Sequence, residues 1–233
     1  MTNVSNDALR RLNLSRPPIA IGFFAGPPQG LRRIDRAAAA GCGYWKHASD
    51  GHAFYTTAED HFGCPVGAFT HGVPLPPAKA QELEGLVGTM VQLQYLRSEE
   101  VPQIPHRAQP LQIAAYAPLA DAEFAADVVI FRGNVKQIML LAEAARAAGA
   151  FEQGTTMGRP ACAMIPHAID AGAGVASVGC IGNRVYTGLG DDELYLAVPG
   201  PKVDDTLEQL DIIVNANVEL EKFHRARAAA AQT

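Results

Sequence analysis

Four cysteines, each set among glycine or proline, are the residues in this chain best placed to do chemistry. Cys42 stands in AGCGYW, Cys64 in FGCPVG, Cys162 in RPACAM and Cys180 in VGCIGN. Glycine permits positive φ and close backbone approach, and proline fixes φ, so these are bends that present a side chain. None of them forms a Cys-x-x-Cys pair, so the local signature of a zinc knuckle or a ferredoxin-type cluster is absent. A four-iron cluster can nevertheless draw single cysteines from separate loops, and soft thiolates suit iron–sulfur or zinc better than magnesium or calcium. Free cysteine is also a small buried hydrophobe, so core packing is the plain alternative.

Around the thiols lie groups that can hold an anion or move a proton. Arg159 and Arg184 flank Cys162 and Cys180, and either can grip a carboxylate or phosphate with two N–H groups. Asp191, Asp192 and Glu193 are equally good structural partners for them. His61 precedes Cys64 by three residues and His167 follows Cys162 by five, which admits a cysteine–histidine nucleophile pair. Lys46, His47, Asp50 and His52 read as a polar loop, lining a pocket or facing solvent. Tyr44 and Trp45 beside Cys42 read as core, or as a pocket wall.

The elements that must position these residues follow from pattern. A short amphipathic helix over 5–14 leads through Pro17 and Pro18 into a strand, IAIGFF. LRRIDRAAAA is helix-prone by its alanine and arginine content and would end at Gly41. AFYTT reads as a strand, and Pro65 as the first residue of a short helix capped by Cys64. Residues 74–97 hold a helix with Leu83, Leu86, Val87, Met90 and Leu93 at helical spacing. LQIAAYAPL and ADVVIFRG are buried strands, the second opening a helix, VKQIMLLAEAARAAG. GVASVG and ELYLAVP are strands, and a long helix closes the chain over 204–227. The expected class is α+β, a mixed sheet with surrounding helices and a long C-terminal helix. It reads as a single domain over 1–233, with 98–110 as the place where a subdivision would fall.

Bulk composition narrows the function classes. The 233 residues are 48% hydrophobic and 18% charged, with a formal net charge of −5. That balance offers no long-range attraction to nucleic acid or anionic lipid. No apolar run approaches the roughly 18 residues of a membrane span, and the N-terminus lacks an apolar core, so a cytoplasmic protein is expected. In a reducing cytosol, four cysteines serve as ligands or thiols before disulfides.

With these residues in view, the chain resembles the family called domain of unknown function 169. The likeness runs through LNLSRPPIAIGFF, the Cys42 loop, FYTTAEDHFGCPVGAFTHGV and LQIAAYAPL…ADVVIFRGNVKQIMLL. It closes on PACAMIPHAI and SVGCIGNRVYTGLGDDELYLAVPG, the most specific stretch. The resemblance implies that Cys42, Cys64, Cys162 and Cys180 hold motif positions and form a shared metal or cluster apparatus, and it carries no assigned activity. The expectation is a 4Fe-4S protein, an enzyme acting by redox or Lewis-acid chemistry on a small anionic substrate held by Arg159, Arg184, His61 or His167. Structural zinc on the same cysteines, a ligand-binding or redox-sensing protein, and a thiol hydrolase centred on Cys64 or Cys162 are the competing readings. The partner is then a small molecule or an electron-transfer protein, with no nucleic acid and no membrane. The apolar C-terminal helix fits a homo-oligomer, or a face packed on its own core.

Overall fold

In the computed structural model, residues 3–230 are described. The strands are β1 (Ile19–Phe24), β2 (Phe54–Thr57), β3 (Ile113–Pro118), β4 (Val128–Asn134), β5 (Phe151–Met157), β6 (Gly174–Ser177) and β7 (Glu193–Pro199). The helices are α1 (Asn3–Leu12), α2 (Gly43–Ser49), α3 (Pro65–Thr70), α4 (Pro77–Gln92), α5 (Val135–Ala147), α6 (Met164–Ala171), α7 (Ile181–Thr187) and α8 (Val203–Ala230). The strands form one mixed sheet in the order β2-β3-β1-β4-β7-β6-β5, antiparallel except for the parallel pair β5–β6. This is the expected α+β class.

Side chains alternate across a strand with a period of two, and both faces of this sheet are apolar. Ile19, Ile21, Tyr116, Val128, Ile130, Val175, Tyr195 and Ala197 point to one face, where they meet Tyr44, Trp45, Met164 and Ile165 of α2 and α6. Ala20, Val129, Phe131, Ala176, Leu196 and Val198 point to the other, against α1, α5 and the first half of α8. The central strands are therefore continuous apolar runs, as sheets covered on both faces require. The cysteines belong to the first face. The second face is a closed structural core, and past Val214 the long α8 exposes Val218, Leu220 and Phe223.

Two sequence expectations are corrected. Leu31–Ala40 is not a helix: it runs as bends over the outer strand. Arg33 bridges Tyr55, Ile34 N–H donates to Tyr55 O, and the Arg33 guanidinium grips both Asp60 oxygens (3.1 and 2.9 Å). Those tertiary anchors outweigh the few tenths of a kcal/mol per residue of helix propensity. The supposed polar loop at Lys46 and His47 is α2, which buries Tyr44, Trp45 and Ala48 and turns Lys46 outward to Asp50. The turn–helix after β4 follows the sequence closely. Asn134 accepts from Gln137 N–H at 3.0 Å while Gln137 Oε1 accepts from Asn134 N–H at 2.8 Å, a reciprocal cap.

Candidate functional site

The four cysteines start helices. Cys42 precedes α2, Cys64 precedes α3 and Cys180 precedes α7, while Cys162 lies in the 3-10 turn Ala161–Ala163 that runs into α6. The backbone of each N-capping cysteine carries the first helical bond: Cys64 O accepts from Ala68 N–H (2.8 Å) and Cys180 O from Arg184 N–H (3.0 Å). At such positions a hydroxyl or carboxylate usually turns back to cap the helix. None of these three thiols does so, which leaves the sulfurs to face outward from the helix starts.

They face the same space. Cys42, Cys64, Cys162 and Cys180, drawn from four separate segments, all line one chamber of about 360 Å³ on the first face of the sheet. Gly67 makes room for one of them, because a Cβ there would stand 3.1 Å from Cys64 Sγ. All four thiols are free. Burial, reinforced by Cys64, pushes the Cys42 thiol up to about 12, with Asn183 opposing and Cys180 adding. Burial also raises Cys162, against a Thr70 hydrogen bond and with Cys64, Cys180 and Cys42 adding. Cys42 and Cys162 thus resist ionisation, and holding them as thiolates requires a compensating positive charge beside them.

The rest of the lining decides what else fits. Leu86, Met90 and Glu82 of α4, with Tyr95, Ile181 and Tyr186, give the chamber a mostly apolar mouth. Arg159 is the arginine of the lining. Its guanidinium lies 4.8 Å from the centre of the Tyr95 ring and 3.2 Å from Glu100. Arg184 is spent elsewhere: it donates to Gly190 O and Val178 O (2.8 Å each) and so closes the loop between α7 and β7. His167 is half-buried on α6 and is not part of the lining. His61 lies behind the site, 1% exposed, with Nε2 2.9 Å from Thr56 Oγ1. The structure therefore brings together the four cysteines and Arg159, and leaves Arg184, His61 and His167 outside. Among the described residues, no three His, Cys, Asp or Glu side chains are gathered tightly enough to grip one ion. The thiols line a chamber and do not form a knot.

Sequence reading missed Asn183. It lines the chamber at 2% exposure, and neither polar atom of its amide has a partner. Its one signal was position, three residues beyond Cys180 and hence on the same side of a helix, but α7 itself was not expected.

Helix α4 covers the mouth without burying a single residue. Helices draw most of their stability from a packed face, and α4 offers little of one. Its amides should exchange with solvent at least tenfold faster than those of α5, which buries Ile138, Leu141, Ala144 and Ala145. Hydrogen-exchange mass spectrometry on the two segments would show this, and equal protection would mean that α4 is not a loosely held cover.

No described helix is long and apolar enough to cross a membrane. Residues 9–209 match the family model for domain of unknown function 169, described as Uncharacterised ArCR. An uncharacterized protein of Methanocaldococcus jannaschii, MJ0308, is 26% identical over 163 residues, covering 67% of this chain and 69% of that protein. No solved structure matches.

Proposed function

The chain belongs to this Uncharacterised ArCR family, and we propose that it is an iron–sulfur protein whose Cys42, Cys64, Cys162 and Cys180 hold one four-iron cluster. The observation that carries the reading is the convergence of four thiols from four distant segments on a single chamber. Two features of the donor set support it. The ligands are all soft sulfur, and a cationic metal core would offset the cost of ionising the buried Cys42 and Cys162. A lone zinc would need its four sulfurs about 3.8 Å apart, given Zn–S bonds of about 2.3 Å. Sulfurs arranged around a chamber suit a larger group better, so zinc is the second choice.

The apolar mouth and Arg159 favour a small molecule with an anionic group and an apolar body, which makes an enzyme the leading form of the proposal. With all four cysteines as ligands, the cluster would supply electron transfer. With one of them free, it would supply a Lewis-acidic iron to a bound substrate. A reducing, cytoplasmic setting fits four free thiols. The alternative is a ligand-binding or redox-sensing protein whose thiols are simply thiols.

Anaerobic purification with iron, sulfide and zinc analysis separates these readings. About four irons and four sulfides per chain, with broad visible absorbance, are expected. One zinc per chain would establish the second choice, and a colourless, metal-free protein that also takes up no iron and sulfide on reconstitution would sink both.

A further inference from the structure

Asn183 is a costly residue where it stands. Its side chain is 2% exposed, and both Nδ2 and Oδ1 lack a hydrogen-bond partner. A buried polar group without a partner is destabilising relative to a satisfied one. Its polar neighbours, the Cys42 thiol and the hydroxyls of Thr187 and Tyr195, make no well-formed hydrogen bond with either amide atom. Thr187 Oγ1 donates to the backbone carbonyl of Asn183 and lies 3.0 Å from Tyr195 Oη, so both hydroxyls are engaged with each other or with main chain. The backbone also makes room for the amide. Gly179 has φ of +74°, and a Cβ there would stand 3.3 Å from Asn183 Oδ1 and 2.8 Å from Leu189 Cδ2. A glycine in a conformation that other residues avoid therefore lets an unsatisfied amide sit in the wall of the thiol chamber.

We infer that the Asn183 amide is a hydrogen-bond donor to the thiolate-held group, and that it sets how readily that group accepts an electron. The inference rests on the iron–sulfur reading and goes beyond it, because it assigns a tuning role to a residue that is not a ligand. Cluster potentials respond to hydrogen bonds on the sulfurs, since a donor favours the more negative, reduced form. Before the cluster binds, neither polar atom of the amide has a well-formed partner.

Two variants and three readouts test this. Asn183→Leu keeps the approximate volume and removes the unpartnered polar atoms. Asn183→Asp keeps the shape and offers an anion in place of the donor. The cluster-free Leu variant should melt no lower than cluster-free wild type, because no hydrogen bond is lost. Reconstituted anaerobically, it should take up the same iron and sulfide. Its reduction should become about tenfold less favourable, a fall of about 59 mV for a one-electron couple. The Asp variant should fall further or lose the cluster. A cluster-free Leu variant that melts well below wild type would make Asn183 structural and overturn the inference. So would a Leu variant with an unchanged potential. If wild type takes up no cluster, the iron–sulfur reading falls and carries this inference with it. That failure differs from the other two, because it is seen in wild type before any variant is compared.

Discussion

Cys180→Ala should abolish stable iron binding while leaving the cluster-free fold intact. Cys180 is half-buried and makes no capping hydrogen bond with its side chain, so little depends on its sulfur except the chamber. Its backbone role, accepting from Arg184 N–H, is open to alanine. Loss of a half-exposed side chain with no partner costs within about 0.5–1 kcal/mol, so the cluster-free melting temperature should move by only a few degrees. The effect on the metal should be far larger, because three thiolates cannot close a four-ligand site. Iron retained after desalting should drop at least tenfold. Cys42→Ala is a useful contrast, since Cys42 is buried among apolar neighbours and its loss also leaves a cavity. That variant should lose both iron and some stability. If Cys180→Ala retains full iron and an unchanged visible spectrum, Cys180 is not a ligand and the four-cysteine site is wrong. If Cys180→Ala retains iron but its spectrum or redox behaviour changes, three cysteines are enough to hold the group and the open-iron form gains ground.

The residues that bear on function were visible in the sequence as types but not as a site. Glycine and proline beside every cysteine marked bends, and the bends turned out to be helix starts. Only the α3 start, with Pro65 at its first turn, could be read, because proline there is a local signal. The helices after Cys42 and Cys162 are short and anchored by Tyr44, Trp45, Met164 and Ile165 packed on the sheet, and the one after Cys180 buries only Asn183 and Thr187. That packing is tertiary and leaves no periodic mark in seven or eight residues. The same competition, run the other way, dissolved the expected helix at Leu31–Ala40, where Arg33 gains more from Asp60 than alanines gain from helicity. Strands β1, β4 and β7 were legible because both of their faces are apolar. Edge strand β5 was not, its FEQGTTM being polar and irregular in register against β6. Among the arginines, proximity in sequence misled: Arg159 and Arg184 both lie within one helical turn of a cysteine, but backbone carbonyls claim Arg184 and leave Arg159 in the lining.

Stability should fall steeply as pH drops from about 6.5 towards 4, and the cause is the pair of sealed histidines behind the chamber. His61 and His71 are 1% and 0% exposed, with ring centroids 5.6 Å apart. His71 Nδ1 lies 2.7 Å from Gly67 O, and a carbonyl only accepts, so Nδ1 carries the proton and Nε2 is bare and unpartnered. Burial, with His71 adding and Asp60 opposing, pushes His61 down to about 3. Burial, opposed by the Gly67 carbonyl and aided by Arg107, pushes His71 down to about 4. Both values lie below the unfolded histidine value of about 6.5. Above that pH the rings are neutral in both states and pH has no leverage through them. Below it the unfolded chain binds two protons that the native state refuses, until pH approaches 4. Each refused proton costs about 1.4 kcal/mol per pH unit, so the pair removes on the order of several kcal/mol by pH 4.5. Asp60 acts in a different window. Burial raises it, but Arg33 and Thr57 outweigh that and hold it below the ordinary carboxylate range, so its contribution is lost only at lower pH. Denaturant unfolding of cluster-free protein at pH 7, 6 and 5 would measure the slope. His71→Asn, which keeps a donor near Gly67 O, should remove roughly half of it. A stability that stays flat between pH 6.5 and 5 would mean that the two rings are not sealed, and that water reaches the back of the chamber.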